Sequence, residues 1–315
     1  PAARPALAAL IGFVLGTAGR LLFLDRRARA LRASFSRYVA PAVVDRIVAQ
    51  ERLPELDGEQ RHIAVMFADL SGFTALSEKV DGRTLTQTVN RYLAIIANEV
   101  EASGGYVDKF IGDAVMAIWN APTETPEHER VAVQAAVRIR DAVAAAAAAD
   151  SARGLPNFAI KIGLNSGTAT VGNVGAEQRL NYTAVGDTVN IAARMESLPS
   201  TFETPIVVGG DCAAAAEGDF AMLEIASIQV KGRNAPVAIF APFASADRPH
   251  FARYASALAA YRARDFDGAA DMWDALAAED WAGAKLSAVK AGFARDAAAN
   301  PPDADWTGFV VMRAK

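Results

Sequence analysis

The sequence predicts an α+β fold, on three observations. Ile63-Ala64-Val65-Met66-Phe67-Ala68 is a short apolar run of the kind a buried strand carries. Residues 83–102 repeat apolar side chains at helical spacing, through Leu85, Val89, Tyr92, Leu93, Ile96 and Val100. Tyr106–Ile111 and Ala114–Trp119 are strand-like runs joined through Gly112-Asp113, a strong hairpin signal. A second helix over about 126–149 and an alternating strand over 158–165 complete the order β-α-β-β-α-β, the ferredoxin-like arrangement. That arrangement hosts many activities, so the site has to decide among them.

Length and composition narrow the classes. The chain has 315 residues, enough for about two domains of ~150 residues. It is 52% hydrophobic and 22% charged, so disorder is excluded. A net charge of −4 argues against a general nucleic-acid binder, and no nucleic-acid partner is expected. Cys212 is the one cysteine, and the histidines are His62, His128 and His250. That set supplies no disulfide framework and no four-ligand structural zinc site, so any metal is expected on oxygen ligands.

At the N-terminal end, residues 5–19 are apolar, Arg20 interrupts, and Leu21-Leu22-Phe23-Leu24 resume the run. A span needs about 20 apolar residues. Arg26, Arg27, Arg29 and Arg32 follow directly, which is the positive-inside pattern. Residues 1–24 are therefore expected to be the end of a transmembrane helix in the cell inner membrane, with everything downstream cytoplasmic. A buried helix or a signal-peptide core is the plainer alternative. Residues 25–60 are expected to form a helical linker, with Pro41 in a first-turn position and Val43, Val44, Ile47 and Val48 on one face.

Beyond the hairpin, 167–175 (GTATVGNVG) reads as a glycine-punctuated hairpin, and Gly186-Asp187 precede a helix over 188–197. Strands are expected at 205–208, 219–230 and 236–242, with Lys231-Gly232-Arg233-Asn234 as a turn. Residues 244–315 read as a helical extension. Phe251, Tyr254, Leu258 and Tyr261 lie on one helix, Phe266 to Leu276 on a second, and Ala284 to Ala299 on a third. The first pair resembles a tetratricopeptide-type hairpin, although stacked repeats usually need three or more units. A short strand is expected at 308–312.

The chemistry concentrates in the middle segment, 61–243. Asp69 ends the first strand and Asp113 sits at the hairpin tip, so both can meet at one end of the sheet. Paired carboxylates without Cys or His suit hard cations such as Mg²⁺ or Mn²⁺, often shared with substrate phosphates. Ser71 to Thr74 open the next helix, whose backbone N–H groups suit a phosphate; Phe73 and Thr74 thus count as substrate-binding candidates. Taken singly, Asp69 reads as a helix cap and Asp113 as a turn residue; together they favour a metal–phosphate site. Asn190 and Arg194 are four apart on an expected helix and share a face. Arg offers a fixed fork of donors for phosphate oxygens.

These residues carry a resemblance. Phe67-Ala68-Asp69-Leu70-Ser71-Gly72-Phe73-Thr74 resembles the first metal motif of class III nucleotidyl cyclases, and Val107-Asp108-Lys109-Phe110-Ile111-Gly112-Asp113 the second. Tyr182 to Arg194 (YTAVGDTVNIAAR) resembles the third, and Val230-Lys231-Gly232 a phosphate-binding element. The resemblance implies two divalent cations on Asp69 and Asp113, with the Leu70 carbonyl assisting one. It implies that Lys109 and Thr183 read the base, Asn190 orients the ribose, Arg194 stabilises the pentavalent phosphate and Lys231 binds the terminal phosphates. It further implies a head-to-tail homodimer. One protomer gives the aspartates and the other gives Lys109, Thr183, Asn190, Arg194 and Lys231. The implied reaction is adenylate cyclase activity. The ribose 3′-hydroxyl of ATP attacks the α-phosphate with two-metal assistance, giving cyclic AMP and pyrophosphate.

Lys109 is a donor suited to adenine N1, where guanylyl-type members place Glu. Thr183 stands where many adenylyl-type members have Asp, as in a bacterial subgroup of adenylyl cyclases; a hydroxyl alone can donate or accept. A guanylate cyclase and a degenerate, regulatory binding module are the alternatives. A diguanylate cyclase would need Gly-Gly-(Asp/Glu)-Glu-Phe, whereas Gly104-Gly105 are followed by Tyr-Val. A P-loop is absent from the sequence.

Overall fold

Two units divide the chain, Pro1–Pro54 and Glu55–Lys315. The computed structural model describes residues 58–176, 179–229, 236–303, 306 and 308–311, together with Thr17 and Arg20, both helical. The expected transmembrane end (1–24) and linker (25–60) lie outside the described residues, except for Thr17, Arg20 and residues 58–60. Those last three belong to a strand, not to a linker helix. Among the described residues no helix is long and apolar enough to cross a membrane.

Strand β1 (Gly58–Ser71) is the axis of the second unit. Its apolar run is buried on both faces: Ala64, Met66, Ala68 and Leu70 on one, Ile63 and Val65 on the other. Two-sided burial explains why the run is continuous rather than alternating. Helix α1 (Phe73–Ser77) is a single short turn, so the expected helix dipole at Ser71–Thr74 is small. The long helix α2 (Gly82–Ala102) starts separately, where the Asp81 carboxylate accepts from the N–H groups of Arg83 and Thr84 at 3.0 and 3.1 Å. Its buried stripe is Val89, Tyr92, Leu93, Ile96 and Val100, as the periodicity predicts. Strands β2 (Tyr106–Ile111) and β3 (Ala114–Trp119) form the hairpin. Helix α3 (His128–Ser151) packs with α2 over β1. At its end the buried Asp150 accepts from Arg91 Nη1 at 2.6 Å and from the Tyr92 hydroxyl at 2.8 Å, which ties α3 to α2.

The expected strand 158–165 and hairpin 167–175 are one 18-residue strand, β4 (Ala159–Ala176). Gly167 and Gly175 take positive φ inside it rather than making turns. β4 pairs with β5 (Arg179–Val185). Helices α4 (Asp187–Met195) and α5 (Leu198–Phe202), strand β6 (Ile206–Gly209), helix α6 (Gly210–Ala216), and strands β7 (Ala221–Gln229) and β8 (Val237–Phe243) follow. Strand β5 and helices α5 and α6 are additions to the sequence reading. The turn expected at 231–234 lies outside the described residues. Helices α7 (Arg248–Arg262), α8 (Phe266–Ala277) and α9 (Ala284–Ala299) lead to β9 (Phe309–Val311).

The sheet runs β2-β3-β1-β4-β6-β8-β7-β9, with β5 on β4. Its β2-β3-β1-β4 part is antiparallel throughout and has the ferredoxin-like order. A second apolar core joins α4, α5, β7 and β8 to the C-terminal helices through Met195, Phe202, Ile225, Ile239, Tyr254 and Trp273. β9 adds a parallel strand to β7.

Lys290, on α9, is 1% exposed inside this second core. Its ammonium lies 5.0 Å from the Tyr261 ring centre and 4.9 Å from that of Trp273. The ring faces favour the charge. Burial wins: with Arg262 adding and Glu224 opposing, it lowers the Lys290 pKa to about 7. In the unfolded chain the group titrates near ~10.4. The unfolded state therefore holds one more proton between these values, and stability should rise with pH across that window, by up to about 1.4 kcal/mol per pH unit. Urea unfolding at several pH values should show this rise, and Lys290→Met should flatten it.

Candidate active site

The carboxylates come together through strand register. Asp69 pairs with Ala114 on β3, and Asp113 is the residue just before it in the two-residue turn Gly112-Asp113. Gly112 has φ 66°, a left-handed conformation such a turn demands. The Leu70 N–H points to the Asp113 carbonyl at 3.4 Å. Burial, and then the neighbouring Asp69 charge, raise the Asp113 carboxyl above the usual carboxylate range. On its other side Asp69 pairs with Lys161 of β4. The Lys161 ammonium lies 2.7 Å from Asp69 Oδ2 and 3.3 Å from Glu196 Oε1. Burial opposes that ammonium, but Asp69 and Glu196 outweigh it and raise its pKa. Asp69 and Glu196 engage the ammonium and Asp113 feels its charge, in a half-buried set of carboxylate oxygens. Oxygen donors of this kind suit a hard divalent cation.

A second group gathers around Thr183. The β2–β3 ladder slips between Val107 and Lys109, so Asp108 is the extra residue of a β-bulge. Bulges re-aim side chains, and here both Asp108 and Lys109 reach Thr183 on β5. Lys109 Nζ donates to Thr183 Oγ1 at 3.1 Å, and the Thr183 hydroxyl donates to Asp108 Oδ2. Lys109 Nζ is also 3.4 Å from Asp108 Oδ2. The Asp108 side chain is 1% exposed and that of Lys109 is 41% exposed. Burial raises the Asp108 carboxyl, opposed by the Thr183 hydroxyl and Lys109. Its Oδ1 is buried without a hydrogen-bond partner among the described residues. One turn of strand away the Tyr106 hydroxyl donates to the Tyr182 carbonyl at 3.0 Å. These contacts bridge β2 and β5, which do not pair in the sheet.

Helix α4 carries Asn190 and Arg194 on one face, Asn190 exposed and Arg194 half-buried. Its start is anchored to β4: Thr188 Oγ1 donates to the Thr168 carbonyl at 3.1 Å, and Asn165 Nδ2 to the Thr188 carbonyl at 3.3 Å. Its end rests on Gly163, where a Cβ would stand 2.2 Å from the Glu196 nitrogen. Phe73 is half-buried against the first core, Thr74 is exposed, and Leu70 is buried. Lys231 lies outside the described residues.

Sequence reasoning therefore placed Asp69 with Asp113 and Lys109 with Thr183, but missed Lys161, Glu196 and the part played by Asp108. Lys161 looks like any outward residue of an alternating strand. Only the register against Asp69 singles it out.

Comparison with known proteins gives a consistent set. Residues 57–241, more than half of the chain, match the profile of the adenylate and guanylate cyclase catalytic domain. Adenylate cyclase 1 of Rhizobium meliloti is 31% identical over 214 residues, covering 68% of this chain and 32% of that protein. The chain thus spans about a third of that relative's length. The crystal structure of the adenylyl cyclase CyaB from P. aeruginosa is 31% identical with a TM-score of 0.56, covering 60% of this chain and 97% of the other. That of the guanylyl cyclase Cya2 is 29% identical with a TM-score of 0.54, covering 59% and 94%.

The seat of α4 gives a test. Gly163→Ala forces a methyl into the Glu196 backbone and should cost about 1–3 kcal/mol in denaturant unfolding. Gly82→Ala, with open space around its Cβ, should be neutral or stabilising.

Proposed function

The chain belongs to the family of adenylate and guanylate cyclase catalytic domains, and on that premise we propose that it converts ATP to 3′,5′-cyclic AMP and pyrophosphate. The observation that carries the choice of ATP is the hydrogen-bond account at Thr183. A threonine hydroxyl has one proton and two lone pairs. Asp108, an acceptor, takes the proton; Lys109, a donor, takes one lone pair. The lone pair that remains calls for an N–H donor. Adenine offers its 6-amino group there, whereas guanine would set a carbonyl oxygen against it. The spare Lys109 protons suit the unprotonated N1 of adenine, which in guanine carries hydrogen. A buried polar site left mismatched in this way discriminates strongly.

Asp69 and Asp113, with the Leu70 carbonyl, would hold two divalent cations, Mg²⁺ or Mn²⁺. When bound, these supply charge to the ribose 3′-oxygen and the phosphate oxygens of an in-line displacement. Lys161 is the ammonium beside those carboxylates, and it is suited to a phosphate oxygen once Asp69 is otherwise engaged. Asn190 has an amide to orient the ribose. Arg194 has a planar fork for the charge that develops on the α-phosphate. Among the described residues neither side chain has a hydrogen-bond partner that would have to be broken. Lys231 is assigned to the terminal phosphates.

A homodimer with shared, head-to-tail sites accompanies this reading. Phe110, Ile111, Val174 and Val185 are large apolar side chains left exposed, and they lie on β2, β4 and β5, around the base-reading group. Exposed apolar surface of this kind marks an interface. The apolar run before Arg26, with its following arginines, fits an inner-membrane anchor that keeps the catalytic domain cytoplasmic.

Incubation of the full chain with ATP or GTP and Mn²⁺, read by mass spectrometry, should give cyclic AMP. Specific activity should rise with protein concentration. Asp69→Ala, Asp113→Ala and Arg194→Ala should each lower kcat by at least about 10²-fold. Mixing Asp69→Ala with Arg194→Ala should restore part of the activity; no recovery would sink the shared site. No cyclic product at any concentration would favour a binding module.

A separate comparison addresses Asp108. An amide at this position can donate as well as accept, so Asp108→Asn frees the Thr183 hydroxyl to point either way. The ratio of kcat/KM for ATP over GTP should fall by about tenfold or more, while folding is retained. An unchanged ratio would remove Asp108 from base selection.

A further inference from the structure

His62 lies in the first half of β1, and His128 and Glu129 open α3. His62 Nδ1 is 3.1 Å from His128 Nε2, and Glu129 Oε1 is 3.2 Å from each of them. Three ligand atoms thus form a nearly equilateral triangle. With the carboxylate ionised and both rings neutral, at least one edge of the triangle sets like against like, lone pair against lone pair or N–H against N–H. A single cation among the three atoms meets all three lone pairs together.

We propose that His62, His128 and Glu129 form a transition-metal site, of the class that takes Zn²⁺, with a fourth position left to water. Two imidazoles and a carboxylate are a zinc donor set, distinct from the all-oxygen set at Asp69 and Asp113. Tetrahedral bonds of about 2.0–2.2 Å separate ligand atoms by roughly 3.3–3.5 Å, so the observed edges need to open by only a few tenths of an ångström. Asn120 braces the strand side: its Nδ2 donates to the His62 carbonyl at 2.9 Å, and its Oδ1 accepts from the Thr125 N–H at 3.0 Å. The nearby Arg61 guanidinium is engaged by the Pro122 carbonyl at 3.3 Å and by Glu59 at 3.6 Å. His62 is seven residues from Asp69 along the strand, or about 23 Å. The site therefore clips β1 to α3 and stands apart from the cyclase chemistry.

The test uses the full chain carrying Asp69→Asn and Asp113→Asn, freed of metal by a chelator and titrated with Zn²⁺ and with Co²⁺. We expect one equivalent of Zn²⁺ and an intense visible Co²⁺ spectrum of the tetrahedral type. Saturating Zn²⁺ should also raise the melting temperature by about 5 °C. His62→Ala, at an exposed position that tolerates truncation, and Glu129→Gln should each weaken binding at least about tenfold. Absence of binding, a weak octahedral Co²⁺ spectrum, or affinity unchanged by His62→Ala would overturn the proposal. None of these readouts depends on cyclase activity, so the two readings stand or fall separately.

Discussion

Asp69 faces Ala114 on one side and Lys161 on the other, and this double register of β1 is the constraint on which the site depends. It sets the strand-end carboxylate beside the hairpin carboxylate and brings an ammonium to both. A slip of one residue would send the side chains of β1 to the opposite faces of the sheet. The burial of Ile63, Val65, Ala64, Met66 and Ala68 opposes that slip, because both faces of the strand are committed to packing. Core and site are therefore specified by the same run of residues. The hydrophobic pattern holds the register, and the register holds the charges.

The second group obeys a different rule. Asp108 and Lys109 are sequence neighbours, which in a regular strand point to opposite faces. The bulge at Asp108 breaks that alternation and lets both meet Thr183. A carboxylate buried there is costly alone and tolerable when it accepts from a hydroxyl and lies by an ammonium. Its other oxygen is buried without a hydrogen-bond partner among the described residues, and a buried polar atom left so lowers stability.

How much of this was legible depended on whether the signal was local. The run at 63–68, the stripe of α2 and the Gly112-Asp113 turn are local, and the first and last of them bring Asp69 and Asp113 to one end of the sheet. The glycines of 167–175 misled. Glycine marks a turn or an unusual φ inside a strand with the same letter, and in β4 it is the second. Motif likeness carried Lys109 and Thr183 to each other across 74 positions. Lys161 has no motif and no periodicity to announce it, since its partner is fixed only by pairing. His62 and His128 are 66 residues apart, without the close spacing that metal ligands on one helix or loop show. The bulge likewise has no residue signature, because Asp108 is an ordinary member of a strand until its partners are counted.

The parallel pairing of β9 with β7 has a consequence for the order of assembly. Ser227 meets Phe309, a separation of 309 − 227 = 82 positions, and three helices intervene. Closing so long a loop costs chain entropy before the contact returns anything. The β1–β4 pairing carries the same burden, since Gly58 meets Gly172 across 172 − 58 = 114 positions. The hairpins close far shorter loops, so assembly is expected to start at them and to reach these two pairings late.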